Sequence, residues 1–355
     1  MGGCVPYAKS LWYVAAWSHD LKADQPLAVQ ILGEPIVLWR DQRGRMAALE
    51  DRCVHRLAPL SLGRCEGGKL RCMYHGLLYD PSGTVTEIPG QDVIPPHAKV
   101  RPYPVVDRHS WIWVWMGEAG AADETLIPPA VGLDDPNFIL GSGQLDYAAE
   151  ARLINDNLLD FSHLSYVHAN SFGAGEEWAR ERPTVTQLPL GVRVERWIIM
   201  QPGKPGRSYA QPVEHYASYD FLLPGILLMS GGEFSLGTKD QLDGKPPNLD
   251  LAIGGVTFTS QAVTPLTAKT SRYFFSWGPH RKFGDAALRD ALMAIAGKAF
   301  AEDRTIIEAQ QRVIDATPEP RIMPTSADRA ITLFNQLSAK RLRAEEESVA
   351  EVRAG

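Results

Sequence analysis

The chain lacks most features that would set it apart from ordinary globular enzymes. It has only 4 cysteines in 355 residues, which is no disulfide framework, so a reducing, cytoplasmic setting is expected. It has no run of Lys or Arg, and 36 basic against 42 acidic residues leave a formal charge of −6. That balance argues against a nucleic-acid partner. The apolar stretches are only strand-length, so no membrane span is expected. Nothing near Met1 reads as a signal peptide, and Pro6 stands where a myristoylation signal needs Ser or Thr. No internal repeat is visible. What is present is length enough for two domains and a large core, with 45% hydrophobic residues.

One stretch departs from this plain background. Cys53-x-His55 is followed by 16 intervening residues and then Cys72-x-x-His75. Each half offers a thiolate and an imidazole to one metal, and the gap lets two loops meet. On donor chemistry alone, the four residues suit either a tetrahedral zinc ion or a [2Fe–2S] cluster with both histidines on one iron. Around them stand Arg56, Pro59, Leu60, Ser61 and Gly63, then Tyr74, Gly76, Tyr79, Asp80 and Gly83, ending in Ile88-Pro89. That pattern resembles the Rieske domain of ring-hydroxylating and demethylating oxygenases. The resemblance implies that Cys53, His55, Cys72 and His75 hold a [2Fe–2S] cluster. Val54 and Met73 stand where relatives often carry proline, and Leu77 where Trp is common. These departures remove no ligand.

The patterning on either side divides the chain. Alternating and aromatic segments at 11–20, 28–40 and 46–50, closed by Trp111–Met116, predict a small all-β domain over 1–117. Residues 118–136 are rich in Pro, Gly and acids and read as a linker. From 137 to 355, a helix near 150–164 precedes strands around 184–200, 214–222, 226–236, 249–262 and 269–277. Long helices near 285–315 and 326–345 follow. This is an α+β domain with a helix packed across a curved antiparallel sheet, and its resemblance is to the helix-grip, START-like fold. Two proline-bearing loops, 201–212 and 240–248, are expected to edge a substrate entrance.

The segment from Asn155 to His168 carries the second chemical signal. On a continuous helix Asp156, Asp160 and His163 would share a face. His163 and His168 lie about 140° apart on such a helix, so they bind one metal only where it bends or ends. A three-ligand site with open positions needs a further carboxylate. In the helix near 285–315, Leu292, Ile295, Ala299, Ile306 and Ala309 define a buried stripe. Asp303 falls on it, whereas Glu302 turns about 100° away. A carboxylate facing a core is costly unless paired or metal-bound.

Residue for residue, the D-x-x-H-x-x-x-x-H pattern and the later E-D-R resemble the mononuclear iron site of Rieske oxygenases. The resemblance implies Fe(II) on His163, His168 and Asp303, with dioxygen as co-substrate. It implies a homotrimer in which Asp160 bridges His163 to His75 of the next subunit, and it sets Asn157 close to the iron. Length and motif spacing look like the vanillate and dicamba O-demethylase group. The expected function is therefore the terminal oxygenase of a multicomponent monooxygenase, fed by an NAD(P)H-dependent reductase with or without a ferredoxin, that O- or N-dealkylates an aromatic compound. Ring dihydroxylation is the alternative, and a non-catalytic Rieske electron carrier leaves the second site unexplained. Gln261 is the candidate substrate contact. It brings no positive charge, and with the apolar run Phe221–Ser230 it leans the expectation toward a neutral or weakly polar aromatic.

Overall fold

The structure, a computed structural model, describes residues 7–41, 43–202 and 210–354. Cys4 and the centre of the loop expected at 201–212 lie outside the described residues. The chain divides into two compact units: Met1–Ile127 with Thr264–Ala268 and Glu345–Gly355, and Pro128–Val263 with Lys269–Ala344. No helix among the described residues is long and apolar enough to cross a membrane.

The first unit holds three small antiparallel sheets. Trp12–Trp17 pairs with Trp111–Trp115, and every residue of both strands is buried. Unbroken burial explains why these strands show no polar alternation in sequence. The indoles are core, and several of their N–H groups reach carbonyls: Trp12 donates to Asp123 at 2.8 Å and Trp113 to Arg108 at 3.0 Å, whereas Trp111 Nε1 is buried without a partner among the described residues.

The two metal-loop turns are built alike. Leu57 N–H donates to the Cys53 carbonyl and Cys53 N–H to Ala58; Gly76 N–H donates to the Cys72 carbonyl and Cys72 N–H to Leu77. The fourth residue after each cysteine is left-handed, Leu57 at φ +59° and Gly76 at φ +77°. Asp51 pins the first loop by accepting from Ser61 N and Oγ at 2.7 and 2.6 Å. Arg71 pins the second by donating to the Gly76 carbonyl at 2.7 Å while paired with Glu66 and Glu87.

The second unit is a seven-stranded antiparallel sheet. Its order is Gly141–Tyr147, Thr270–Pro279, Gly254–Thr267, Ile226–Phe234, Val213–Leu222, Gly191–Met200, Thr184–Leu188. The helix Ala286–Ala316, capped by the Asp285 carboxylate on Leu288 N–H at 2.9 Å, packs against the first two strands. Its buried stripe is Ala296, Ala299, Phe300, Asp303, Ile307 and Gln311. Ile306, expected on that stripe, is instead 51% exposed, one residue out of phase with Ile307.

The helix expected at 150–164 also differs. It runs Ala151–Leu159 and stops because Asp160 is extended (φ −120°, ψ 99°). Asp156, Asp160 and His163 therefore share no face. Asp156 turns toward the C-terminal helix Arg329–Ala354, where it accepts from Asn335 Nδ2 at 3.1 Å. The 240–248 segment begins in the short helix Thr238–Gln241, and its Leu242, with Leu249 just beyond it, packs against the Trp197 cluster.

Two stability outcomes follow from these placements. A Cβ on Gly76 would lie 2.8 Å from Pro89 Cγ and force a left-handed Ala, so Gly76→Ala should cost about 1–3 kcal/mol in thermal or denaturant unfolding. Burial raises the Asp156 carboxyl above its ordinary 3.8, outweighing Asn335 and Arg152. A raised folded pKa makes the charge destabilising once pH climbs through it. Asp156→Asn should thus raise the melting temperature at pH 7, with the gain shrinking as the pH falls toward 3.8.

Candidate active site

The first unit presents its four candidate ligands in two layers. Cys53 and Cys72 are buried, at 2% and 1% exposure, in an apolar cluster with Leu60, Leu70 and Tyr79. His55 and His75 are exposed, their ring centroids 4.4 Å apart. Both sulfurs meet donors. Tyr79 Oη–H points at Cys53 Sγ at 3.2 Å while accepting from Val54 N–H at 3.0 Å, and the N–H groups of Tyr74 and His75 donate to Cys72. Burial and the neighbouring Cys53 sulfur push the Cys72 thiol up, and burial followed by His55 and Arg56 pulls His75 down. Two thiolates held in donor-lined apolar pockets beneath two outward imidazoles fit a [2Fe–2S] cluster ligated by sulfur on the inner iron and by nitrogen on the outer one.

In the second unit, three ligand atoms of His163, His168 and Asp303 lie within 4.8 Å of one another, an arrangement able to hold a metal ion. Local backbone brings the histidines together. After the break at Asp160 the chain makes a 3-10 turn at Phe161–His163 and a single helical turn at Leu164–Val167, and His168 ends that turn at φ −108°. The His ring centroids are 5.2 Å apart. Asp303 Oδ1 lies 3.1 Å from His168 Nε2 and 3.6 Å from His163 Nε2. His168 is 1% exposed, and its Nε2 has no hydrogen bond of good geometry among the described residues. A buried imidazole nitrogen left facing a carboxylate and a second imidazole is the donor set that Fe(II) takes. Burial lowers the His163 pKa despite Asp303. At His168 burial acts the same way but is outweighed by Asp303 and Glu302, which raise it.

Asn157 donates from Nδ2 to Asp303 Oδ1 at 3.1 Å, so it meets the carboxylate itself. Asp160 is arranged differently from expectation. His163 Nδ1 bonds the Asp160 backbone carbonyl, while the Asp160 carboxylate accepts from Ser162 N and Oγ, both at 2.8 Å. The side chain serves as an N-cap on the turn, because an extended residue before a helical turn is placed to do so.

Glu302 is the residue that sequence reasoning missed. Although it sits about 100° round the helix from Asp303, it reaches the far side of His168, accepting from Nδ1 at 2.9 Å and from Ser171 Oγ at 2.6 Å. It thereby fixes the tautomer that leaves Nε2 free for a metal. The adjacent pair Glu302-Asp303 was the available signal: two acids that grip opposite edges of one imidazole.

Asn157, His163, His168 and Asp303 line a cavity of about 210 Å³ within the second unit. Phe161, Phe172, Trp178, Trp277 and Phe300 make its aromatic walls, and Thr257, Thr259 and Gln261 line it from one face of the strand Gly254–Thr267, as a period of two requires. No Lys or Arg is among the described lining residues. The 240–248 loop is not part of that lining.

Comparison with known proteins agrees with both sites. Residues 11–104 match the Rieske [2Fe-2S] domain, and 147–344 match the vanillate O-demethylase oxygenase C-terminal domain. The toluene-4-sulfonate monooxygenase system iron-sulfur subunit of Comamonas testosteroni is 34% identical, over 96% of this chain and 98% of its own. A vanillate O-demethylase oxygenase subunit of Pseudomonas sp. (strain HR199 / DSM 7063) is 33% identical, over 96% and 97%. The crystal structure of dicamba monooxygenase bound to 3,6-dichlorosalicylic acid superposes with a TM-score of 0.84 at 27% identity, covering 95% of this chain and 98% of that one. The chain accordingly belongs to the Rieske non-heme iron oxygenases of the vanillate O-demethylase type, and is a monooxygenase that works with a [2Fe–2S] cluster, a mononuclear iron and dioxygen.

Proposed function

We propose that this oxygenase removes an alkyl group from the oxygen or nitrogen of a small aromatic compound. In this reading Cys53, His55, Cys72 and His75 hold the cluster, and His163, His168 and Asp303 hold the iron. The observation that carries it is the convergence of those three last side chains at an aromatic-walled cavity sized for a single ring. The demethylase relatives favour the same chemistry. Electrons come from an NAD(P)H-dependent reductase, directly or through a ferredoxin. With Cys53 and Cys72 given to the cluster, Cys65 forms no disulfide, which suits a reducing cytoplasm.

Iron at this site supplies dioxygen activation. One oxygen atom enters a C–H bond of the alkyl group, and the other leaves as water with two electrons and two protons. The resulting hemiacetal or hemiaminal falls apart to an aldehyde and the dealkylated product. The chain's own residues set the geometry. Glu302 holds His168 by Nδ1, the Asp160 carbonyl holds His163 by Nδ1, and Asn157 holds Asp303. With both histidines oriented from their far nitrogens and Asp303 steadied by Asn157, little reorganisation is left when the metal binds. The aromatic walls exclude water from the reacting carbon.

The functional unit in this reading is a homotrimer in which Asp160 links His163 to His75 of a neighbouring subunit. On the loops that carry the two histidines, Val54, Leu57, Met73 and Tyr74 are exposed beside the charged Arg56, a largely apolar face suited to being covered. Asp160 is half-buried and, among the described residues, each of its carboxylate oxygens accepts one hydrogen bond from Ser162, which leaves lone pairs for an imidazole N–H.

Asp160→Asn keeps an acceptor for Ser162, so the variant should fold and retain iron and cluster by metal and sulfide analysis. Its turnover should fall by at least about a hundredfold, the scale of losing one positioned polar contact on the transfer route. Normal activity would remove Asp160 from that route. Turnover of methoxy- and N-alkyl-arenes with a surrogate reductase should release one aldehyde per dealkylated product, and a cis-diol product would overturn the dealkylase reading.

A further inference from the structure

The polarity of the cavity wall at Gln261 is set by a chain of hydrogen bonds. Gln261 is 7% exposed and lies two residues beyond Thr259 on the same strand face. Its Nε2 is 3.1 Å from Thr259 Oγ1, and Thr259 Oγ1 is in turn 2.5 Å from the Ser276 carbonyl oxygen. A carbonyl cannot donate, so the one hydroxyl proton of Thr259 is spent on Ser276. The atom of Gln261 that faces Thr259 must therefore be its NH2. The hydrogen-bond network orients the amide. What remains on Gln261 is Oε1, buried and, among the described residues, without a hydrogen-bond donor.

We infer that this wall selects neutral arenes bearing an O–H or N–H donor, such as phenols and secondary anilides, and disfavours arene carboxylates and sulfonates. A buried carbonyl oxygen gains from a donor and loses when an anion is pressed against it. Among the described lining residues there is no Lys or Arg to offset this, and the Asp303 carboxylate would cancel part of the charge of an iron bound beside it. Gln261 thus meets the substrate as an acceptor. The inference rests on the reading above that this cavity holds the substrate.

Quenching of tryptophan fluorescence in the anaerobic holoenzyme can follow binding, since Trp178 and Trp277 line the cavity. The probes are 2-methoxyphenol, 1,2-dimethoxybenzene and 2-methoxybenzoate. The phenol should bind about tenfold more tightly than the dimethoxy compound, one buried hydrogen bond's worth, and the benzoate most weakly. Gln261→Met should bring the first two together. Thr259→Val frees the amide to turn and should narrow the phenol's lead over the benzoate. Equal affinities in the unaltered enzyme, a preferred benzoate, or an unchanged phenol preference in Gln261→Met would overturn the inference. Formaldehyde measured alongside separates the two ideas: tight phenol binding without formaldehyde defeats dealkylation alone, whereas demethylation without donor preference defeats only the assignment of Gln261.

Discussion

The active-site half of this protein is organised by one awkward placement, a carboxylate on the buried side of a long helix. Asp303 sits among Ala299, Phe300 and Ile307 at 4% exposure, where a lone charge would cost several kcal/mol or lose its proton. Every nearby departure from regular structure serves it. The helix Ala151–Leu159 stops early, so that His163 and His168 can turn inward. Asn157, on its last full turn, donates to the carboxylate. Glu302, next to Asp303 in sequence, takes the opposite edge of His168. Remove the acid, and the broken helix and inward histidines lose their reason.

That dependence explains what could be read in advance. Asp303 was legible because it violates an apolar stripe, and the two histidines because their spacing makes sense only with a bend. The role of Glu302 was not legible, because helical angle alone says where a side chain starts and not how far four bonds carry it. Asp156 failed for the opposite reason: it was placed on a helix face that ceases to exist one turn later. The phase of the long helix was mistaken by one residue at Ile306. Both neighbours are isoleucine, so composition could not choose between them, and only packing against the sheet does.

The strand Gly141–Tyr147 escaped sequence reading altogether. Its Gly141 and Gly143 look like loop residues, yet each marks a close approach. A Cβ at Gly141 would lie 2.6 Å from Met293 Cγ, and one at Gly143 would lie 2.4 Å from Phe275 Cζ. The glycines thin the sheet edge so that the long helix and an aromatic ring can lie against it. The tryptophans gave the reverse lesson. Reading those of the first unit as plain core was sufficient, because both of their strands are buried at every residue and Trp12, Trp113 and Trp115 donate to backbone carbonyls.

The matching turns at Cys53 and Cys72 carry a consequence of their own. Sequence shows no repeat, yet the backbone repeats itself around the cluster site, as a local pseudo-twofold does. The two halves pay unequally for that symmetry. Glycine takes the left-handed position without penalty in one, whereas leucine is forced into it in the other, at a cost of about 1–2 kcal/mol. The return on that strain is directional. Leu57 stands 63% exposed. One arm of an otherwise even pair is thus cocked outward, giving a nearly symmetric tip a distinct handedness.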